Sequence, residues 1–383
     1  MTPQSRENLP MSRTSSRSWR RRLPLASLLA AALPLGLALP AHAQEARNVI
    51  LFLGDAGGVS TINAAGILAN DRPQSLYIHS MPHVALSDTS ALDQWVTDSA
   101  AGMTAIMTGR KTNNAMVAVA PSERPGEVVP LKTLLEYAEE RGLATGVVTN
   151  MNIWDATPAA TYAHVASRRD KDEIFRQMLA PRFGNGVDIL VGKGRADAIA
   201  SFAGRGTTAS KAFAKAGYRF GVDPALVRRS SRTIVLRDAD FAPLPAVEAT
   251  VARLARNPKG YFLMVEWDMH TDNPSDGLRH VVEMDAMIRR ISAIAGKDTL
   301  ILFTADHSFG LRMTGGERAR PLAMQYPAAP GSTRPVITVE DTHTGEEVIV
   351  AASGPGAEKV RGFLPNTRLF EIMLSAFGWR TDK

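Results

Sequence analysis

The sequence predicts an α/β fold, a central mostly parallel sheet flanked by helices on both faces. Two observations carry this. Four short β-rich apolar runs, Asn48–Leu53, Ala144–Thr149, Tyr261–Val265 and Thr299–Thr304, are continuous enough to be strands buried on both sides. Segments with helical spacing alternate with them. Each run also leads into oxygen or imidazole ligands: Gly54-Asp55, Asp155-Ala-Thr157, Glu266 and Asp306-His307. Open α/β sheets gather their chemistry beyond the carboxyl ends of the strands, and this donor set suits a divalent cation.

Residues 1–43 read as an export signal. Arg13, Arg17 and Arg20–Arg22 precede the apolar stretch Leu23–Pro40, and Ala41-His-Ala43 follows as a small-residue cleavage site. Pro24, Pro34 and Pro40, in a run shorter than the roughly 20 residues of a span, argue against a stable membrane anchor. The arginine triplet leaves Sec and twin-arginine export both open. Met11 is an alternative start. The expected mature chain is residues 44–383, one catalytic domain, periplasmic or secreted.

Six of the 44 basic and one of the 38 acidic residues lie in that leader, which leaves 38 and 37 in the mature part. So balanced a chain gives no electrostatic case for nucleic acid as the main partner. With no cysteine, disulfides and thiolate zinc sites are excluded, and any zinc must use histidine and carboxylate.

Pro130–Gly142 is expected to be an amphipathic helix, with Leu131, Leu134, Leu135 and Ala138 on one stripe and Gly142 as its stop. Gly277–Ala295 forms another, with Val281, Met284, Ile288 and Ile291 inward, and Asn366–Phe377 closes the chain. Gly184–Asp240 is weakly patterned and reads as an insertion or a lid over the site. Ala319–Pro335 reads as a proline-rich loop.

Read singly, each motif has an ordinary alternative. Gly54-Asp55 suits a tight strand-to-helix turn, and Asp98-Ser99 or Asp155-Ala-Thr157-Pro158 suit capped helix starts. Arg168 fits a surface arginine and His343 a loop histidine. A serine at a helix N-terminus nevertheless gains from the positive end of the dipole, which also holds an anion beside it. Adjacent Asp306-His307 after a buried strand is costly to bury without a cation.

Taken together and in order, these segments resemble the alkaline phosphatase family. The matching stretches are Gly54-Asp55, Asp98-Ser99-Ala100, Thr108–Asn114, Asp155–Ala159, His164–Arg168, Val265-Glu266, Thr304–His307 and His343-Thr-Gly345. The resemblance implies an exported phosphomonoesterase with two Zn2+ ions and one Mg2+. Asp55 would bridge one zinc and the magnesium, with Asp306 and His307 completing that zinc. Thr157 and Glu266 would hold the magnesium, with Asp155 beside it. His343 would bind the other zinc, Ser99 would be phosphorylated, and Arg168 would grip the phosphate of a phosphorylated small-molecule substrate. A homodimer is admitted but not required. A phosphodiesterase of the same superfamily, or a non-catalytic metal- or phosphate-binding descendant, are the alternatives.

The chain departs from the family after Glu266. Family members place an Asp five residues on and a His four beyond, which here gives Thr271 and Ser275. A local deletion reconciles the two. In an extended stretch Asp268, His270 and Asp272 share a face, so Asp268, His270 and His343 are the expected ligands of this zinc. Asp272 substitutes if the loop turns.

Overall fold

The computed structural model describes residues 45–325 and 336–381, so the expected signal at 1–43 lies outside the described residues. In chain order the strands are β1 (Asn48–Asp55), β2 (His83–Asp88), β3 (Val119–Pro121), β4 (Val128–Pro130), β5 (Ala144–Asn152), β6 (Ile189–Lys193) and β7 (Arg219–Gly221). They continue as β8 (Thr233–Arg237), β9 (Tyr261–Asp268), β10 (Thr299–Ala305), β11 (Ser308–Met313), β12 (Ile337–Thr344), β13 (Val348–Ser353) and β14 (Gly362–Pro365). The helices are α1 (Val59–Asn70), α2 (Ser99–Thr108), α3 (Leu134–Glu140), α4 (Ala156–Ala159) and α5 (Lys171–Met178). After them come α6 (Arg195–Gly204), α7 (Ala209–Lys215), α8 (Pro243–Leu254), α9 (Pro274–Ile294) and α10 (Thr367–Ala376).

Ten strands form one sheet in the order β14-β2-β13-β10-β1-β9-β5-β6-β8-β7. From β10 to β7 every neighbouring pair is parallel, and β13 runs antiparallel between β10 and β2. All eight residues of β1 are buried, because both faces of the sheet are covered. Alternate β1 side chains enter opposite layers. Val49, Leu51 and Leu53 pack with α2, α3 and α10, while Ile50 and Phe52 pack with α1, α8 and α9. The four apolar runs are the four central strands β5, β9, β1 and β10.

Three boundaries differ from expectation. The first helix starts at Leu134 rather than Pro130, since Pro130 ends β4 and Thr133 with Glu136 forms a reciprocal capping box. The strand after Tyr261 continues past Val265 to Asp268. Gly184–Asp240 is no lid: its β6, β8 and β7 extend the main sheet at one edge. Its pattern is weak because these strands are only three to five residues long. The other two helices fall within a few residues of their expected spans, with Asn273 as N-cap and Pro274 in the first turn of α9. Of the expected proline-rich loop, Leu322–Met324 makes a short 3-10 turn and residues 326–335 lie outside the described residues. Among the described residues no helix is long and apolar enough to cross a membrane.

Candidate metal centre

Strand register builds the site. Asp55 stands opposite Asp268 on β9, and Leu53 opposite both Glu266 on β9 and Thr304 on β10, so the three carboxyl ends finish side by side. β1 then turns sharply at Ala56, whose φ of 67° is left-handed, and the freed Ala56 N–H donates to Oδ1 of Asp306 at 3.3 Å. Asp55, Asp306 and His307, all buried, bring one ligand atom each to a common point.

A helix N-terminus meets this edge. Asp98 caps α2 by accepting from Ala101 N–H at 3.0 Å, which leaves Ser99 as the first helical residue. α2 lies so close to β10 that a Cβ on Gly102 would stand 2.7 Å from the Asp306 carbonyl oxygen. Only glycine allows that approach. Ser99 Oγ therefore sits 3.3 Å from both Asp55 Oδ1 and His307 Nε2.

Three imidazoles share one construction. His307 Nδ1 lies 3.0 Å from the Ser308 carbonyl, His343 Nδ1 lies 3.0 Å from the Thr97 carbonyl, and His270 Nδ1 lies 2.7 Å from Asp268 Oδ1. With Nδ1–H donated in each ring, Nε2 keeps its lone pair for a cation. These rings form a second group of convergent ligand atoms, His270, His307 and His343, with the last two stacked at 3.8 Å between centroids. His343 arrives on the β11–β12 ribbon, opposite Phe309.

Thr157 and Glu266 also lie close to Asp55. Thr157 Oγ1 donates to Asp55 Oδ2 at 3.4 Å, and Thr149 Oγ1 donates to Glu266 Oε2. Arg168 is held between two carboxylates, Asp155 Oδ1 at 2.8 Å and Asp98 Oδ2 at 3.3 Å.

Burial tends to raise Asp55, but His270, His307 and Arg168 outweigh it and hold the carboxyl well below the usual range. Burial and the neighbouring Asp55 charge push Asp306 up to about 7 and Glu266 well above its ordinary value. Burial, then His307, takes His343 down to about 4 and so keeps it neutral. Against burial, Asp55 and Asp268 raise His270 to about 9.

The donor set fits divalent cations on one further observation. Glu266 Oε1 and Asp306 Oδ2 are buried and have no hydrogen-bond partner among the described residues. Carboxylate oxygens so placed are costly unless a cation faces them. Oxygen with imidazole suits zinc, and the carboxylate and hydroxyl of Glu266, Thr157 and Asp55 suit magnesium.

Two expected zinc ligands, Asp268 and its substitute Asp272, fall outside both groups. Asp268 turns back on its own loop and accepts from both the Nδ1 and the backbone N–H of His270, at 2.7 and 3.1 Å. The single residue between them favours this closed ring over two ligands side by side. Asp272 is exposed at the cavity mouth, because the loop bends before α9. Thr149, Thr97 and Asn150 support the site without having been expected there. Thr149 was legible as a hydroxyl at the carboxyl end of an apolar run. The Thr97 carbonyl, and the Asn150 side chain that accepts from Asp268 N–H at 2.8 Å, carry no sequence signal.

The family model for Alkaline phosphatase matches residues 46–217 and 236–335. Alkaline phosphatase 4 of Bacillus subtilis is 27% identical, with 84% of this chain and 87% of that protein aligned. Streptomycin-6-phosphate phosphatase of Streptomyces griseus is 29% identical, with 94% and 98% aligned. Among solved structures, the alkaline phosphatase of the Antarctic bacterium TAB5 shares the fold at a TM-score of 0.74 and 23% identity, covering 88% of this chain and 99% of that one.

Proposed function

This chain belongs to the alkaline phosphatase family and is a phosphatase, and from that premise we propose an exported phosphomonoesterase working through phosphoserine at Ser99. Metal dependence comes with the family. Two zinc ions and one magnesium are our reading of the donor set. Asp55, Asp306 and His307 would hold one zinc, His270 and His343 the other, and Asp55, Thr157 and Glu266 the magnesium, with Asp155 beside it. Asp268 serves by orienting His270. Bound cations would supply positive charge for the phosphate and for the attacking and leaving oxygens.

The observation that carries the reading is the place of Ser99 Oγ at the first position of a helix. It lies 3.3 Å from His307 Nε2 and 3.3 Å from the Asp55 carboxylate, which the neighbouring histidines and Arg168 keep ionised against burial. Asp55 accepts a hydrogen bond from the hydroxyl and so aims Oγ, and the helix dipole, with the bound cations, would favour the oxyanion as the proton passes to water. Ser99 Oγ attacks phosphorus, the P–O bond to the alcohol breaks, and the alcohol leaves with a proton. Water then cleaves the phosphoserine and returns inorganic phosphate. Arg168, held by Asp98 and Asp155, is oriented to bond two non-bridging oxygens at once, as a lysine cannot. The cut alcohol leaves toward the open cavity of about 650 Å³. The leader at 1–43 supports a periplasmic or secreted location.

The test is hydrolysis of p-nitrophenyl phosphate and of bis-p-nitrophenyl phosphate by the chain supplied with zinc and magnesium, with mass spectrometry of acid-quenched enzyme. Monoester turnover with phosphate on Ser99 is expected. Faster diester turnover would make it a phosphodiesterase, and neither activity would leave a non-catalytic binding protein.

A further inference from the structure

We propose that the alcohol half of the preferred substrate carries a positive charge, making it the phosphomonoester of an amino or quaternary ammonium alcohol. This rests on the phosphatase reading and concerns only what lies at the cavity mouth. The floor is a ligand site independently of the mouth, through the buried oxygens of Glu266 and Asp306 that have no hydrogen-bond partner among the described residues. With the phosphate seated there, an in-line displacement directs the alcohol outward.

What it meets there is acidic. Asp98, Asp268, Asp272 and Asp341 line the cavity, and among the described residues no lysine or arginine does. Asp98 is committed to Arg168 and the α2 cap, and Asp268 to His270. Asp272 and Asp341 are exposed and have no hydrogen-bond or ion-pair partner among the described residues. Both line the same cavity as the His270–His343 pair, each two residues in sequence from one of the rings. A cavity that receives anionic esters is ordinarily served by cations at its entrance, which steer the ligand in. Two free carboxylates do the reverse for a polyanion and favour a zwitterionic ester.

Apolar surface beside these acids fits the same ligand. Phe309 forms part of the wall, and Val96 forms another part, next to Trp95 with 89% of its surface exposed. The Trp95 backbone packs 3.4 Å from the position a Gly345 Cβ would take, which anchors this loop beside His343. Phe309 is buried against His270, so the aromatic face open to an ammonium group is that of the exposed Trp95, next to the cavity-lining Val96.

The test compares phosphocholine with its neutral carbon isostere 3,3-dimethylbutyl phosphate, as a ratio of kcat/KM, in wild type, Asp341→Asn, Asp341→Lys and the Asp272→Asn/Asp341→Asn double variant. Using each variant's own ratio cancels the different leaving abilities of the two alcohols. The ratio should fall about threefold to tenfold in the double variant, fall further in Asp341→Lys, and shrink in wild type as salt is raised. p-Nitrophenyl phosphate should still be turned over in both Asp341 variants, with its kcat/KM raised in Asp341→Lys, where a cation replaces an acid at the mouth. A ratio equal in all four proteins, with p-nitrophenyl phosphate still hydrolysed, overturns the inference alone. A wild type that hydrolyses none of the three esters overturns the phosphatase reading with it.

Discussion

The carboxylate of Asp268 accepts the Nδ1 proton of His270 at 2.7 Å, so the ring presents Nε2 to His343, 3.5 Å away. The acid fixes the tautomer of the proposed zinc ligand two residues on.

Asp268→Asn should therefore keep more zinc than Asp268→Ala, since an amide oxygen still accepts from Nδ1–H. Removing such an orienting partner costs on the order of 10- to 100-fold in metal affinity. Zinc retained per chain against a buffered chelator measures this. Equal losses in Asp268→Asn, Asp268→Ala and His270→Ala would make Asp268 a direct ligand.

Ser99→Ala should abolish covalent phosphate capture and leave metal content and fold intact. The α2 cap is Asp98, so the helix start does not depend on the serine. Labelled phosphate trapped on another residue would remove Ser99 from its role.

For Arg168→Ala, the inhibition constant of inorganic phosphate should rise about tenfold or more, from loss of a charge-assisted bidentate contact worth roughly 1.5–3 kcal/mol. An unchanged constant would mean that its pairing with Asp98 and Asp155 is purely structural.

Gly102→Ala should lower both stability and activity. The added methyl meets the Asp306 carbonyl at 2.7 Å and must push α2, and Ser99 with it, away from β10. Overpacking of this kind costs about 1–3 kcal/mol. Unfolding midpoints together with kcat check it, and wild-type values in both would show that the helix yields without harm.

A pH effect is expected far from the site. Burial pushes Glu139 up to about 7, and the nearby Asp188 charge adds to it. A carboxyl raised on folding favours the folded state while protonated, so its contribution is full below about 4.5 and is lost as pH rises through about 7. The raised value corresponds to on the order of 3 kcal/mol. Glu139→Gln keeps an acceptor for Thr145 and should flatten the stability profile across that window, seen as unfolding midpoints against pH. A variant profile parallel to wild type would show that Glu139 does not titrate there.

The central strands were legible because burial on both faces leaves an unbroken apolar run. Asp55 and Asp306-His307 were legible because charge at the end of such a run is costly to bury unless a cation meets it. The edge strands β6 to β8 were not, since three to five residues carry too little pattern to distinguish a strand from a loop. The start of α3 was available in Thr133-Leu-Leu-Glu136, which a stripe of leucines overrode. The fate of Asp268 was not available. Alternation along an extended strand cannot say that a carboxylate will close on its own neighbour.

His343 reaches the site on a ribbon made late in the chain, 288 residues after Asp55. A nascent chain that has emerged only through β10 already possesses Asp55, Thr157, Glu266 and His270, yet lacks Asp306, His307 and His343. On the proposed ligand sets, zinc loading would therefore follow nearly complete synthesis, and a product truncated before the ribbon would keep only the acidic residues of the magnesium side together with His270. Long loop closure, rather than local helix formation, sets when this protein can begin to work.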